Sequence, residues 1–147
     1  MAKFGDFQTC LEEGKAFMDV GKWCETEKAD QLLFGMMYPC VTNYAFSCEV
    51  LLKAIELHFS PNSHHSGGHG LEQLFEGLPD STKQQLKQDA ATEGIIDLSQ
   101  FLKEHDLSFV DWRYAFENET VKADISKLSK LASVLYSYVR SLTPNSN

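Results

Sequence analysis

The segment from Val41 to Phe59 constrains the fold of this chain more than any other. Its apolar residues recur at intervals of three and four, so that in a helix they form one stripe. The stripe consists of Val41, Tyr44, Ala45, Cys48, Leu52, Ile55 and Phe59. A second stripe over residues 122–142 consists of Ile125, Leu128, Ala132, Leu135, Val139 and Leu142. These patterns predict two long packed helices, centred near Cys48 and Leu131.

The segment before the first stripe predicts a helix and then a break. Apolar residues at helical spacing indicate a helix over residues 3–23, with Gly21 at its natural end. Proline cannot continue a helix cleanly and biases the residue before it away from helical dihedrals. A kink or short break is therefore expected at Tyr38–Pro39.

Three further helices are predicted between the two stripes. A short one follows His69 and stops at Gly77–Pro79, and a polar surface helix over 80–93 has Asp80 or Ser81 as its cap. The third covers Leu98–Glu104, and the aromatic stretch 109–117 after it has the spacing of one helical face. Residues 60–68 read as a flexible loop and residues 144–147 as a frayed tail. With no β-type alternation of comparable length, the chain is predicted to be one all-α domain over 1–147, an antiparallel bundle of five or six helices.

The charge and hydropathy of the chain exclude several classes of protein. The formal net charge is −8, and only two of the thirteen basic residues are arginine, so strong non-specific binding to nucleic acid is not expected. No run of 18 apolar residues occurs, and the N-terminus has no apolar signal core. We therefore expect a cytoplasmic protein without membrane association.

The cysteines and histidines do not indicate a metal or a cofactor. The spacings of 14, 16 and 8 residues between cysteines match no zinc-ribbon or redox pattern, so reduced core cysteines are expected. Three histidines fall in or beside a Gly- and Ser-rich loop, which gives no rigid ligand geometry. The cysteines are Cys10, Cys24, Cys40 and Cys48, and the histidines are His64, His65 and His69.

Three segments in order resemble the HEPN family (higher eukaryote and prokaryote nucleotide-binding). The first, 43–55, carries the family's Glu-x-x-Leu-Lys-Ala pattern from Glu49 to Ala54. The second, 68–75, is similar to its Gly-His-(Asp or Asn)-Leu-x-x-Leu segment and departs from it at Gly70. The third, 112–117, is similar to an Arg-Tyr element that begins a later functional helix. The resemblance covers about residues 30–142 and implies a helical, dimeric fold.

In the ribonuclease members of that family, an arginine is followed after four to six residues by a histidine, and two chains join these groups across a dimer cleft. Here Arg113 is followed at that spacing by Asn118, Glu119 and Thr120. An asparagine amide cannot move the 2′-hydroxyl proton near neutral pH as histidine does. The candidate catalytic residues are therefore Arg113, Asn118 in the place of the histidine, and His105 as a fallback general base. His105 is otherwise expected at the surface or partly packed.

A ligand-binding or structural cluster is expected around Arg113, which lies within an aromatic stripe. Its members are Glu49, Lys53, Arg113, Tyr114 and Glu117. The arginine either pairs with carboxylates or contacts a phosphate, because its planar fork serves both purposes. Glu49 and Lys53 by themselves have the spacing of a solvated helical ion pair.

The missing histidine favours a binding module over an enzyme. The leading hypothesis is a homodimeric HEPN-like module that binds a nucleotide, an RNA or a protein partner, in a defence or stress system. The alternatives are a metal-independent endoribonuclease with a non-standard base and a purely structural helical adaptor.

Overall fold

The computed structural model describes residues 6–30, 35–62, 70–105 and 124–143. Within these ranges the chain forms six α-helices and no strand, which confirms the predicted all-α bundle. The helices are α1 (Phe7–Thr26), α2 (Met37–Phe59), α3 (Leu71–Glu76), α4 (Asp80–Thr92), α5 (Leu98–Glu104) and α6 (Ile125–Ser141). The aromatic stretch at 109–117, most of the predicted loop at 60–68 and the tail at 144–147 lie outside the described residues.

Helices α1 and α2 form an antiparallel pair that is held together at two glycines. The Ser47 hydroxyl donates to the Gly14 carbonyl oxygen at 2.7 Å, and the Cys40 thiol donates to the Gly21 carbonyl oxygen at 3.5 Å. Residue numbers therefore rise along α1 as they fall along α2. The prediction that Gly21 ends the first helix is wrong, since Gly21 lies inside α1. Its role is in packing: the absence of a Cβ lets the backbone of α1 approach α2 closely.

Helix α2 lies at the centre of the core, in contact with α1, α3 and α6. Six of the seven predicted stripe residues of α2 are buried, from Val41 to Ile55, whereas Phe59 at the end of the helix is 44% exposed. The stripe of α6 is buried except at its two ends, where Ile125 and Leu142 are partly buried, so both predicted stripes are confirmed over most of their length. The residues exposed by 1% or less on these two helices include Tyr44, Cys48, Leu51, Leu52, Ile55, Leu128, Leu131, Leu135 and Val139. Burial of this continuous apolar surface is the main driving force for the fold.

The short helices close the remaining sides of the core. Helix α4 packs against α6, where the hydroxyls of Thr82 and Tyr138 form a hydrogen bond at 2.8 Å. Gly94, at a φ of 95°, follows the end of α4, a conformation that favours glycine. The short helices predicted after His69, over 80–93 and over Leu98–Glu104 are confirmed as α3, α4 and α5. None of the described helices combines the length and hydrophobicity that crossing a membrane requires.

Two predictions about helix starts are wrong. Helix α2 begins at Met37 and runs through Pro39 without a break, because a proline in the first turn costs no intrahelical hydrogen bond. The N-cap of α4 is Pro79, without a side-chain hydrogen bond, so neither Asp80 nor Ser81 caps that helix. Three other helices do have side-chain caps: Asp6 caps α1, Asp97 caps α5 and Asp124 caps α6. These carboxylates accept from backbone N–H groups at 2.7, 3.1 and 2.9 Å, respectively.

Candidate functional site

Two members of the predicted cluster, Glu49 and Lys53, lie one turn apart on α2. The Lys53 Nζ is 3.7 Å from the Glu49 Oε1, and these side chains are only 23% and 24% exposed, respectively. The pair is therefore partly buried, whereas the spacing alone predicted a solvated one. A separation of 3.7 Å is longer than a hydrogen bond, so among the described residues the Lys53 ammonium has no hydrogen-bond acceptor. Lys53 can therefore donate hydrogen bonds to a second charged group or to a phosphate.

The other members of the predicted site lie outside the described residues. They are Arg113, Tyr114, Glu117 and Asn118. A meeting of Arg113 with Glu49 therefore stays a prediction.

His105 lies at the C-terminal end of α5 and is buried, more deeply than the expected surface or partly packed position. Its side chain stacks on Phe101 with ring centroids 4.1 Å apart, and the residue is only 4% exposed. Its Nδ1 is 2.9 Å from the Phe101 carbonyl oxygen, and its Nε2 is 3.3 Å from the backbone nitrogen of Asp124. A carbonyl only accepts and a backbone N–H only donates, so Nδ1 carries the proton and Nε2 accepts.

This arrangement does not favour His105 as a general base. A base needs a lone pair within reach of the proton that it removes. The only ring lone pair of His105 already accepts from Asp124, and the ring is shielded from solvent. The geometry is that of a structural histidine.

A partly buried polar chain links α1, α2 and α6 at Tyr44. The Tyr44 hydroxyl donates to the Glu25 Oε1 at 3.0 Å and also hydrogen-bonds Ser129. Burial, reinforced by the Glu25 carboxylate, raises the pKa of Tyr44 well above its ordinary value, against a smaller opposing effect of Ser129. A tyrosine that stays protonated cannot remove the Ser129 proton, so this chain is not a nucleophile relay. It is a structural link, which sequence reasoning missed because Tyr44 reads only as a stripe residue.

A groove of about 500 Å³ lies between α1, α4 and α6. Lys22 and Lys130 line it together with Asp89 and Glu93, and within the described ranges neither lysine forms an ion pair with either carboxylate. The other lining residues are Thr92, Ser129, Ser133, Val134 and Ser137. The groove accommodates a small polar molecule, but charges of both signs do not select an anion.

The cysteines are free and buried, which confirms their predicted core role. Burial raises the pKa of Cys10 to about 11 and that of Cys40 and Cys48 to about 12, so the reactive thiolate is suppressed. In the part of the chain that the structure describes, no cluster of three or more His, Cys, Asp or Glu residues is placed to hold a metal. The three loop histidines lie outside it.

Comparison with known proteins adds no relative from which a role can be transferred. No family model matches the chain, and no curated protein and no solved structure is detectably similar to it.

Proposed function

We propose that this chain is a HEPN-like helical module that binds a phosphate-bearing ligand, either a nucleotide or an RNA, without cutting it. The observation that carries the proposal is the partly buried Glu49–Lys53 pair of α2, which occupies the Glu-x-x-Leu-Lys-Ala pattern of the family resemblance. An ammonium with a covered stem and available donors suits a phosphate oxygen.

Net charge and histidine chemistry support local binding rather than cleavage. A chain of net charge −8 attracts polyanions poorly, so a phosphate must be held by a few specific contacts, for which we propose Lys53 and Arg113. The window after Arg113 holds Asn118 and no histidine. The fallback base, His105, uses both ring nitrogens in hydrogen bonds.

The binding test compares two site variants with a matched control. Titration of the protein into a fluorescent ATP analogue and a short labelled single-stranded RNA measures affinity. Lys53→Ala and Arg113→Ala are each expected to weaken binding about tenfold. This factor corresponds to the loss of one charge-assisted contact that contributes about 1.4 kcal/mol. Lys15→Ala is the control, because Lys15 pairs with Asp19 at the same spacing but with side chains 50% and 52% exposed. Equal loss in all three variants, or no binding by the wild type, contradicts the proposal.

The two alternative functions, a ribonuclease and a structural adaptor, predict different results when the same purified protein is assayed. Cleavage of total RNA that disappears in Arg113→Ala supports the ribonuclease with a non-standard base. A structural adaptor binds neither ATP nor RNA, and the exposed Val20 and Trp23 side chains of α1, at 44% and 49%, are its candidate partner surface.

The family resemblance also implies a homodimer, which we include in the proposal. Sedimentation equilibrium at tens of micromolar is expected to give twice the chain mass of 16.6 kDa. A monomer under these conditions contradicts the dimer.

A further inference from the structure

We infer that the groove between α1, α4 and α6 binds a small zwitterion, a molecule that carries both an ammonium group and a carboxylate, as a free amino acid or a short peptide does. The inference is independent of the proposed phosphate site, because it involves neither Lys53 nor Arg113. It rests on the charges and the hydrogen-bonding groups of the described residues that line the groove.

The charges of the groove are of both signs and come from different helices. Helix α1 contributes Lys22, whereas α4 contributes Asp89 and Glu93. Helix α6, which packs against both α1 and α4, adds Lys130. Within the described ranges none of these four side chains forms an ion pair. A ligand of a single sign is therefore repelled by two of them, whereas a ligand that carries both signs finds a partner for each of its charges.

Two hydroxyls of the groove offer lone pairs to a ligand, because their protons are already donated elsewhere. The Ser133 hydroxyl donates to the Sδ of the buried Met18 at 3.8 Å, and the Thr92 hydroxyl donates to the Gln88 carbonyl oxygen at 3.1 Å. A hydroxyl has one proton, so each of these groups can only accept from a further partner. A ligand that forms hydrogen bonds with them must bring the donors.

Ser129, one turn before Ser133 on α6, is oriented in the same way by the polar chain at Tyr44. The Tyr44 hydroxyl donates its only proton to the Glu25 Oε1 at 3.0 Å, so in its hydrogen bond with Ser129 the serine is the donor. Tyr44 is fully buried, which fixes the acceptor of the Ser129 proton. Ser129 therefore also presents lone pairs to the groove.

These acceptors favour an ammonium group as the part of the ligand that they bind. An ammonium has three donors and no lone pair, and its charge strengthens hydrogen bonds to carboxylates. The two lysines suit a carboxylate for the same reason. A neutral sugar also has donors, but it leaves all four charges without a partner. The groove, of about 500 Å³, is within the size range of small-molecule sites.

The first measurement is a titration of the isotope-labelled full chain with alanine and with alanyl-alanine, followed by NMR. We expect a Kd of about 1 mM for the tighter ligand, with shifts of the Thr92, Glu93, Ser129 and Ser133 backbone amides. The relative affinity of the two compounds distinguishes a free amino acid from a short peptide. The inference is wrong if neither compound shifts these amides at concentrations up to about 10 mM.

Blocked derivatives of the tighter ligand test whether both of its charges are recognised. The N-acetylated form lacks the ammonium, and the C-terminal amide lacks the carboxylate. Each is expected to bind at least about tenfold more weakly than the zwitterion, because one charge-assisted contact is lost. Glucose is the neutral control and is expected to cause no shift. Equal binding of the zwitterion and both blocked forms, or tighter binding of glucose, contradicts recognition of a zwitterion.

Variants of the two walls test which residues contact each charge. Lys22→Gln is expected to weaken binding of the zwitterion about tenfold but not that of its amide, and Glu93→Gln to weaken binding of the zwitterion but not that of its N-acetyl form. Lys103→Gln and Glu104→Gln are the matched controls, because both residues are exposed at the end of α5 and neither lines the groove. Losses of the same size in the controls would show that the groove is not the site.

A charge reversal adds a gain of binding to these losses. Glu93→Lys leaves the groove with three positive charges and one negative, so it is expected to bind succinate, a dicarboxylate, at least about tenfold more tightly than wild type does. Glu93 is exposed, and a melting temperature near that of wild type confirms that the variant folds. Unchanged succinate affinity in the folded variant overturns the inference. Lys22→Gln is expected to bind the ATP analogue as wild type does, so failure of this site and failure of the phosphate site are distinguishable.

Discussion

Gly21 of α1 packs directly against the ring of Tyr44 in α2. A Cβ placed on Gly21 would lie 2.7 Å from both Cδ1 and Cε1 of the ring, closer than carbon atoms approach in proteins. Tyr44 is fully buried, so its ring has no space into which to withdraw. The α1–α2 spacing therefore depends on a hydrogen atom at position 21.

Overpacking of the Tyr44 ring by a Cβ at position 21 costs about 1–3 kcal/mol. Alanine normally brings about 1 kcal/mol to a helix interior, so Gly21→Ala is expected to destabilise the protein by a net of up to about 2 kcal/mol. Gly77→Ala is the control, because its Cβ would meet nothing closer than 3.6 Å and its φ of −77° suits any residue. Urea unfolding measures both, and a Gly21→Ala midpoint at or above that of wild type contradicts the packing argument.

Tyr44→Phe tests the polar chain that links three helices. The change leaves Glu25 and Ser129 without their shared partner and is expected to cost about 1–2 kcal/mol. Tyr136→Phe is the matched control, since the half-buried Tyr136 hydroxyl forms no hydrogen bond in the part of the chain that the structure describes. Thermal melts of the two variants that coincide would show that the link contributes nothing.

The two long helices were predictable because their signal is local. Val41–Phe59 and the stripe of α6 repeat every three or four residues, and such a pattern needs no knowledge of the partner. The wrong prediction of a break at Pro39 also has a local cause, the position of the proline within the helix. Whether a proline breaks a helix depends on whether it falls in the first turn, and no residue before it marked the start of α2.

The errors at Gly21 and His105 come from contacts that are remote in sequence. Glycine at a helix end and glycine at a close crossing look alike until the facing residue, here Tyr44, is known. A histidine next to a polar stretch reads as a surface or partly packed residue, and nothing local in the sequence shows that its second nitrogen accepts from Asp124, 19 positions later. Sequence patterns show the periodicity of apolar residues, but they do not show which distant backbone group is the hydrogen-bond partner of a buried polar side chain.

The buried cysteines predict a loss of stability at alkaline pH. Burial raises the pKa of Cys10 to about 11 and of Cys40 and Cys48 to about 12, against an ordinary value of 9.0. The unfolded chain therefore loses these protons first as the pH rises. The contribution is fully present below pH 9 and is lost as the pH rises from there through about 11 and about 12.

Urea midpoints measured from about pH 8 to about pH 10.5 are expected to fall, and Cys48→Ala is expected to fall less steeply over the same range. Native protein at pH 8 is also expected to resist iodoacetamide, which labels every cysteine once urea is added. Rapid labelling of Cys48 in the native state contradicts the burial of its thiol.

The last prediction separates a true helix cap from an acidic residue that merely begins a helix. Asp97 accepts from the Gln100 backbone N–H at 3.1 Å. Asp80 is instead the first residue of α4, with a side chain that is 95% exposed and that, among the described residues, pairs with Lys83 alone, at 3.4 Å. Asp97→Ala removes the partner of an N–H that the helix cannot satisfy, and its expected cost is about 1 kcal/mol. Asp97→Asn keeps an oxygen in place and is expected to restore most of that stability, while Asp80→Ala is expected to leave the urea midpoint unchanged. Equal losses in Asp97→Ala and Asp97→Asn would mean that charge near the start of α5, rather than the hydrogen bond, carries the effect.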